Sequence, residues 1–119
     1  MKRLIFLLLI LPTVAQADTA SWYSQECCRY NPDSACPTAN GMSLYKLEAD
    51  HVLWAAMWDV PFGAQFKVTN QANGKSVVVS ILDRGPHRRL GRKIDLCKEA
   101  FERIADTKEG IIHVTVDRM

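Results

Sequence analysis

The sequence predicts a mainly β domain, a closed barrel or sandwich, and three stretches carry that prediction. Gln65 to Thr69 and Ser76 to Leu82 are β-prone runs joined by Gln71-Ala72-Asn73-Gly74, where Asn-Gly supplies the positive φ angles of a reverse turn, so they read as a hairpin. The unbroken Val77-Val78-Val79 points to a strand buried on both faces. Ile111 to Val116 alternates enough to form a terminal strand, with His113 interrupting its apolar residues in a structural role.

The chain has 119 residues, and its first 17 are set apart from the fold. Lys2-Arg3, the apolar run Leu4 to Leu11 and Ala15-Gln16-Ala17 match the three parts of a secretory signal peptide. That run is shorter than the ~20 apolar residues a membrane helix needs, and no comparable run follows. Residues 18–119 are therefore expected as one exported domain, periplasmic or secreted, monomeric and without stable membrane insertion. No cysteine stands at the cleavage point, so lipid attachment there is not expected. Loss of Lys2 and Arg3 brings the 15 basic residues level with the 13 acidic ones, which leaves no positive field for nucleic acid.

The remaining elements follow in order. Thr19 to Ser24 is a β-prone run ending in Trp22-Tyr23; Asn31-Pro32-Asp33 and Cys36-Pro37 then mark a loop, and Asn40-Gly41 a tight turn. Leu47 to Trp58 mixes helical and strand spacing and reads as a helical turn leading into a strand. After Gly85-Pro86 comes a basic loop through His87, Arg88, Arg89, Arg92 and Lys93. Cys97 to Ala105 is a short amphipathic helix with Ala100, Phe101, Ile104 and Ala105 on its apolar face. Gly110 breaks the chain before the last strand.

Cys27, Cys28, Cys36 and Cys97 form an even set in an exported domain, which favours disulfides, and three pairings satisfy the count. A link from Cys97 to the Cys27–Cys36 segment would stabilise by about 3 to 4 kcal/mol in the chain-entropy account. Cys97 stands alone, with no His near it in sequence, so no metal site is expected; no nucleotide motif is present, and no cofactor is expected either.

Two carboxylates stand out. Asp83 ends the second hairpin strand in Leu82-Asp83-Arg84-Gly85-Pro86, and Asp95 lies in Lys93-Ile94-Asp95-Leu96. Each has a plain structural role open to it, Asp83 as a turn carboxylate and Asp95 as an orienting group before the helix. The helix dipole would favour the ionised form of Asp95.

A wider pattern surrounds them: Ala20-Ser21-Trp22-Tyr23, Thr38-Ala39-Asn40-Gly41, Pro61-Phe62-Gly63, Val68-Thr69-Asn70, Asn73-Gly74-Lys75-Ser76-Val77-Val78-Val79, Asp83-Arg84-Gly85-Pro86 and Ile94-Asp95-Leu96. In this order the set resembles the rare lipoprotein A (RlpA) family of septal lytic transglycosylases, related in fold to expansins. The resemblance implies a six-stranded double-psi β-barrel with one or two short helices and a groove for peptidoglycan glycan strands, cut to leave 1,6-anhydromuramyl ends. It places the family's catalytic Asp on Asp83 and a second groove acid on Asp95. Trp22, Tyr23, Asn40, Arg84 and His87 are the candidate substrate contacts, the two aromatics by stacking on sugar rings. The family pattern has Glu directly after the Asn-Gly turn, where this chain has Met42; Glu48, further on, is the acid considered for its place. Without the missing acid, a glycan-binding module that does not cut is the alternative function, and a small disulfide-held inhibitor is a third.

Overall fold

Each described strand has a neighbour on both sides, because the sheet closes on itself. The computed structural model describes residues 18–24 and 37–119; the expected signal peptide and Cys27, Cys28 and Cys36 lie outside them. In chain order the described strands are β1 (Asp18–Tyr23), β2 (Trp54–Ala56), β3 (Gln65–Asn70), β4 (Ser76–Asp83), β5 (Ile94–Cys97) and β6 (Ile112–Arg118). Their spatial order around the barrel is β1-β5-β2-β4-β3-β6. The pairs β1–β5 and β2–β4 are parallel and the other four antiparallel, so the closed, six-stranded mixed barrel implied by the motif order is the fold. Two short helices, α1 (Leu44–Ala49) and α2 (Lys98–Glu102), lie in its connections.

Alternation along the strands fills the interior. Phe66 and Val68, Val77, Val79 and Ile81, Ile94 and Leu96, and Ile112 and Val114 are all buried, and Phe101 and Ile104 pack against them with no exposed surface. Val78 corrects the expectation of two-sided burial: it is 40% exposed while its neighbours face inward. A closed barrel has one packed face, and a run of three valines fits it with only two of them inside.

The hairpin has the predicted partners, with Val68 opposite Val77 and Thr69 opposite Ser76. Its turn is held differently from expectation. Gly74 alone takes a positive φ there, at 74°, and the asparagines work through their side chains. Asn70 Oδ1 accepts from Ala72 N at 3.0 Å and Asn73 Oδ1 from Lys75 N at 2.9 Å, while both Nδ2 groups donate to the Ile104 carbonyl, at 2.7 and 2.9 Å. These bonds satisfy the buried Asn70 and occupy a carbonyl just beyond α2, where the expected longer helix ends as turns.

The helix before β2 begins at Leu44, earlier than the hydrophobic spacing suggests, because Ser43 Oγ accepts from Lys46 N and caps it. Cys97 is buried at the end of β5, and Cys27, Cys28 and Cys36, the partners expected for it, lie outside the described residues. Burial pushes the Cys97 thiol up from its ordinary pKa and keeps it protonated. Phe101→Ala should cost about 3–5 kcal/mol of unfolding free energy in urea titrations, through the cavity it leaves; a loss below 1 kcal/mol would mean that the α2 segment is not part of the cooperative core.

Candidate active site

The outward face of β1 organises the two acids. Ser21 lies opposite Asp95 in the parallel β1–β5 ladder, and its Oγ donates to Asp95 Oδ1. Two residues on, Tyr23 points the same way and reaches across the intervening strands to β4, where its hydroxyl donates to Asp83 Oδ2 at 2.8 Å. The same hydroxyl accepts from Trp54 Nε1 at 2.9 Å, and the two rings meet edge to face, with centroids 6.0 Å apart and an interplanar angle of 89°. Trp54 is almost fully enclosed, so this bond satisfies a buried donor.

Asp83 reaches this face through a break in register. Ala55 pairs with Ile81 but Ala56 with Asp83, so β4 carries an extra residue at that point. Without it, Asp83 would share the inward parity of Val77, Val79 and Ile81; the irregularity turns it outward. Ala56 is also the partner of Asp95 on its other side, which sets the acids at one level on the strands flanking β2. Strand spacing separates their backbones by about 10 Å. Asp83 Oδ1 accepts from Ala39 N at 2.7 Å and from Arg84 N at 2.9 Å, so both carboxylate oxygens are engaged. Gly85 covers the floor between the acids: a Cβ there would lie 3.6 Å from the Ala56 Cβ and 3.9 Å from Asp95 Oδ2, and its φ of 147° is strained for any side chain.

The electrostatics reverse the dipole expectation for Asp95. Burial raises its pKa above the ordinary 3.8, and the charge of Asp83 pushes the same way, while the Ser21 hydrogen bond and Arg92 oppose the shift. Arg92 Nε lies 3.9 Å from Asp95 Oδ1. A helix of only five residues does not offset the loss of water around the carboxyl. Tyr23 is raised as well, first by burial and then by Asp83, which keeps it an O–H donor.

The other sequence candidates are spread around this pair. Trp22 lies on the opposite face of β1, donating Nε1 to Thr107 O at 3.0 Å beneath Lys98, and is not brought to the acids. Arg84 turns away from Asp83, donating to Met57 O at 3.0 Å with its guanidinium 3.9 Å above the Phe62 ring. His87 is exposed and caps the turn Arg88–Leu90 by accepting from Arg89 N. Asn40 stands exposed in the loop whose Ala39 N holds Asp83. Met42 closes that loop, its N donating to Thr38 Oγ1 and its side chain 39% exposed beside Lys46, Leu47 and Asp50. Glu48 lines a separate depression with His51, Trp54 and Glu99. Trp54, an aromatic that the sequence leaves between stacking on sugar and core packing, with core favoured, is almost fully enclosed; Ser21, Ala39, Gly85 and Arg92 stand in the sequence motifs and basic loop with no role assigned, and only strand pairing brings them to the acids. Among the described residues no group of three or more metal-ligating side chains converges.

Comparison with known proteins agrees with the fold. The lytic transglycolase family matches residues 15–116. The chain belongs to that RlpA-like double-psi β-barrel family. The endolytic peptidoglycan transglycosylases RlpA of Rickettsia felis and Rickettsia typhi are each 36% identical over 98 residues, which is 82% of this chain. The chain spans 40% and 28% of their lengths. Among solved structures, a mutant Clavibacter michiganensis expansin in complex with cellohexaose superposes with a TM-score of 0.62 at 21% identity, over 87% of this chain and 49% of the expansin. A Streptomyces papain inhibitor gives a TM-score of 0.62 at 19% identity, over 87% and 92% of the two chains. At these identities both likenesses concern the fold.

Two outcomes follow from the geometry. Tyr23→Phe removes the hydroxyl between Trp54 and Asp83 and should cost about 1–3 kcal/mol in denaturant titrations, because a buried indole N–H loses its partner; an unchanged midpoint would contradict the bridge. For Asp95, the folded pKa lies above the unfolded value of 3.8, so its contribution to stability is present below that pH and is lost as pH rises through the folded pKa. Asp95→Asn should therefore be more stable than the parent at pH 7, with the gain shrinking towards pH 3.5. A variant less stable at pH 7 than at pH 3.5, relative to the parent, would oppose this.

Proposed function

We propose that this domain acts on peptidoglycan glycan strands and cuts them as a lytic transglycosylase, with Asp83 as general acid/base and Asp95 as its supporting acid. One observation carries the reading: two carboxyls on strands flanking β2 are fixed at one level by hydroxyls from a single face of β1. The RlpA relatives supply the substrate class. The signal-peptide pattern of residues 1–17 would deliver the domain to the periplasm or the exterior.

The acid protonates the glycosidic oxygen as its bond to the anomeric carbon of a muramyl residue breaks. The C6 hydroxyl of the same sugar closes on that carbon and its proton passes to the carboxylate, leaving a 1,6-anhydro end and a regenerated acid. No water enters, so the separate base required by inverting hydrolysis is not needed. Interacting carboxyls hold protons as a pair, and burial of Asp95 favours keeping one in the site.

Met42 favours a second reading, a wall-binding module that does not cut. The residue at the family's Glu position cannot transfer a proton, and Glu48 belongs to another depression. Incubation with purified sacculi and mass spectrometry of the soluble products separates the two. The catalytic reading expects anhydromuropeptides from the parent and a fall of about 100-fold or more with Asp83→Asn. Binding without products, together with a gain of products in Met42→Glu, would establish the second reading instead.

A further inference from the structure

Beside Asp95 one buried donor has no hydrogen-bond partner. Arg92 Nε is enclosed and unbonded among the described residues, since Asp95 Oδ1, at 3.9 Å, is within charge attraction but beyond hydrogen-bond reach. Arg92 also lines a hollow of about 310 Å³ with Asp18, Trp58, Asp59, Arg88 and Lys93. Three cations there face two carboxylates. Asp59 is engaged by Arg88, but at 3.3 and 3.5 Å between side chains 62% and 78% exposed the pair is weak and open to exchange. The Arg88 guanidinium lies 4.6 Å above the Trp58 ring. Trp58 Nε1 in turn donates to Pro86 O at 2.7 Å, tying this cationic platform to the loop that follows Asp83.

The hollow is linked to Asp95 through Arg92, which lines it, and to the loop that follows Asp83 through the Trp58–Pro86 hydrogen bond. Its chemistry suits a single carboxylate on a compact carbon frame, with guanidinium groups to bind it and an indole to flank it. Of the two sugars in a peptidoglycan glycan strand, muramic acid alone bears such a group, on its 3-O-lactyl ether, where it is a free carboxylate once the stem peptide has been removed and a neutral amide while the peptide remains. We infer that this hollow receives the lactyl carboxylate of the muramyl residue whose bond lies at Asp83 and Asp95. The inference rests on the glycan reading above and deepens it: Arg88, Arg92 and Lys93 select muramyl over plain N-acetylglucosaminyl positions and so set where on the strand the acids act.

Calorimetric titration of the domain tests this with two ligands: alternating N-acetylglucosamine–N-acetylmuramic acid oligosaccharides, and the same oligosaccharides with each lactyl carboxylate converted to a neutral amide. The acid form should bind about tenfold more tightly. That preference should shrink as salt is raised and disappear in Arg88→Gln/Lys93→Gln. Equal binding of the two forms overturns the carboxylate subsite while leaving the glycan reading intact; binding of neither contradicts both. A preference that survives in a folded double variant removes the hollow as its source. The comparison of ligands and the salt series use the parent protein alone, so a variant that fails to fold does not spoil the test.

Discussion

Everything at this site hangs on the outward face of one strand. A carboxyl withdrawn from water is costly unless donors meet it, and here two such groups arrive on strands separated by β2. β1 meets both, with the short reach of Ser21 to its direct neighbour Asp95 and the long reach of Tyr23 to Asp83. The parallel β1–β5 register fixes which residue does which, because it sets Ser21 beside Asp95. Barrel closure therefore does more than remove strand edges: it brings two residues of the first strand to acids 74 and 60 positions further along the chain.

Small residues make room for this arrangement. Ala56 leaves the space between the acids open, and Gly85 passes over it where a side chain would meet Asp95. Trp54 supplies the opposite service, a large enclosed ring whose N–H fixes the Tyr23 hydroxyl so that its proton points at Asp83. The loop that carries Met42 is tied to the same acid through the Ala39 amide. Burial of Asp95 works against stability at neutral pH.

Much of the fold was legible in the sequence because it is local. The hairpin, the strand after Gly110 and the apolar face of Ala100, Phe101 and Ile104 all follow from spacing and turn residues, and the ordered motifs added the barrel. Asp83 and Asp95 were visible as acids anchored to strands. Their environment was not, since it is made by pairings distant in sequence: Ser21 with Asp95, Tyr23 with Asp83, and Arg92 folded back towards Asp95. The irregularity opposite Ala55 and Ala56 leaves no mark in the run Ser76 to Asp83, yet it decides which way Asp83 faces. Trp22 and Tyr23 look alike as adjacent aromatics, and only strand alternation sends one beneath Lys98 and the other to the acids.

The claim that one strand face binds two coupled acids is tested most directly by following the Asp95 side-chain carboxyl carbon in a pH titration by NMR, in the parent, Asp83→Asn and Ser21→Ala. Asp95 should titrate above 3.8 in the parent, move down when the neighbouring charge is removed in Asp83→Asn, and move up when Ser21→Ala removes its donor. An Asp95 that titrates at its ordinary value and ignores both substitutions would contradict the coupling and the shared frame it depends on.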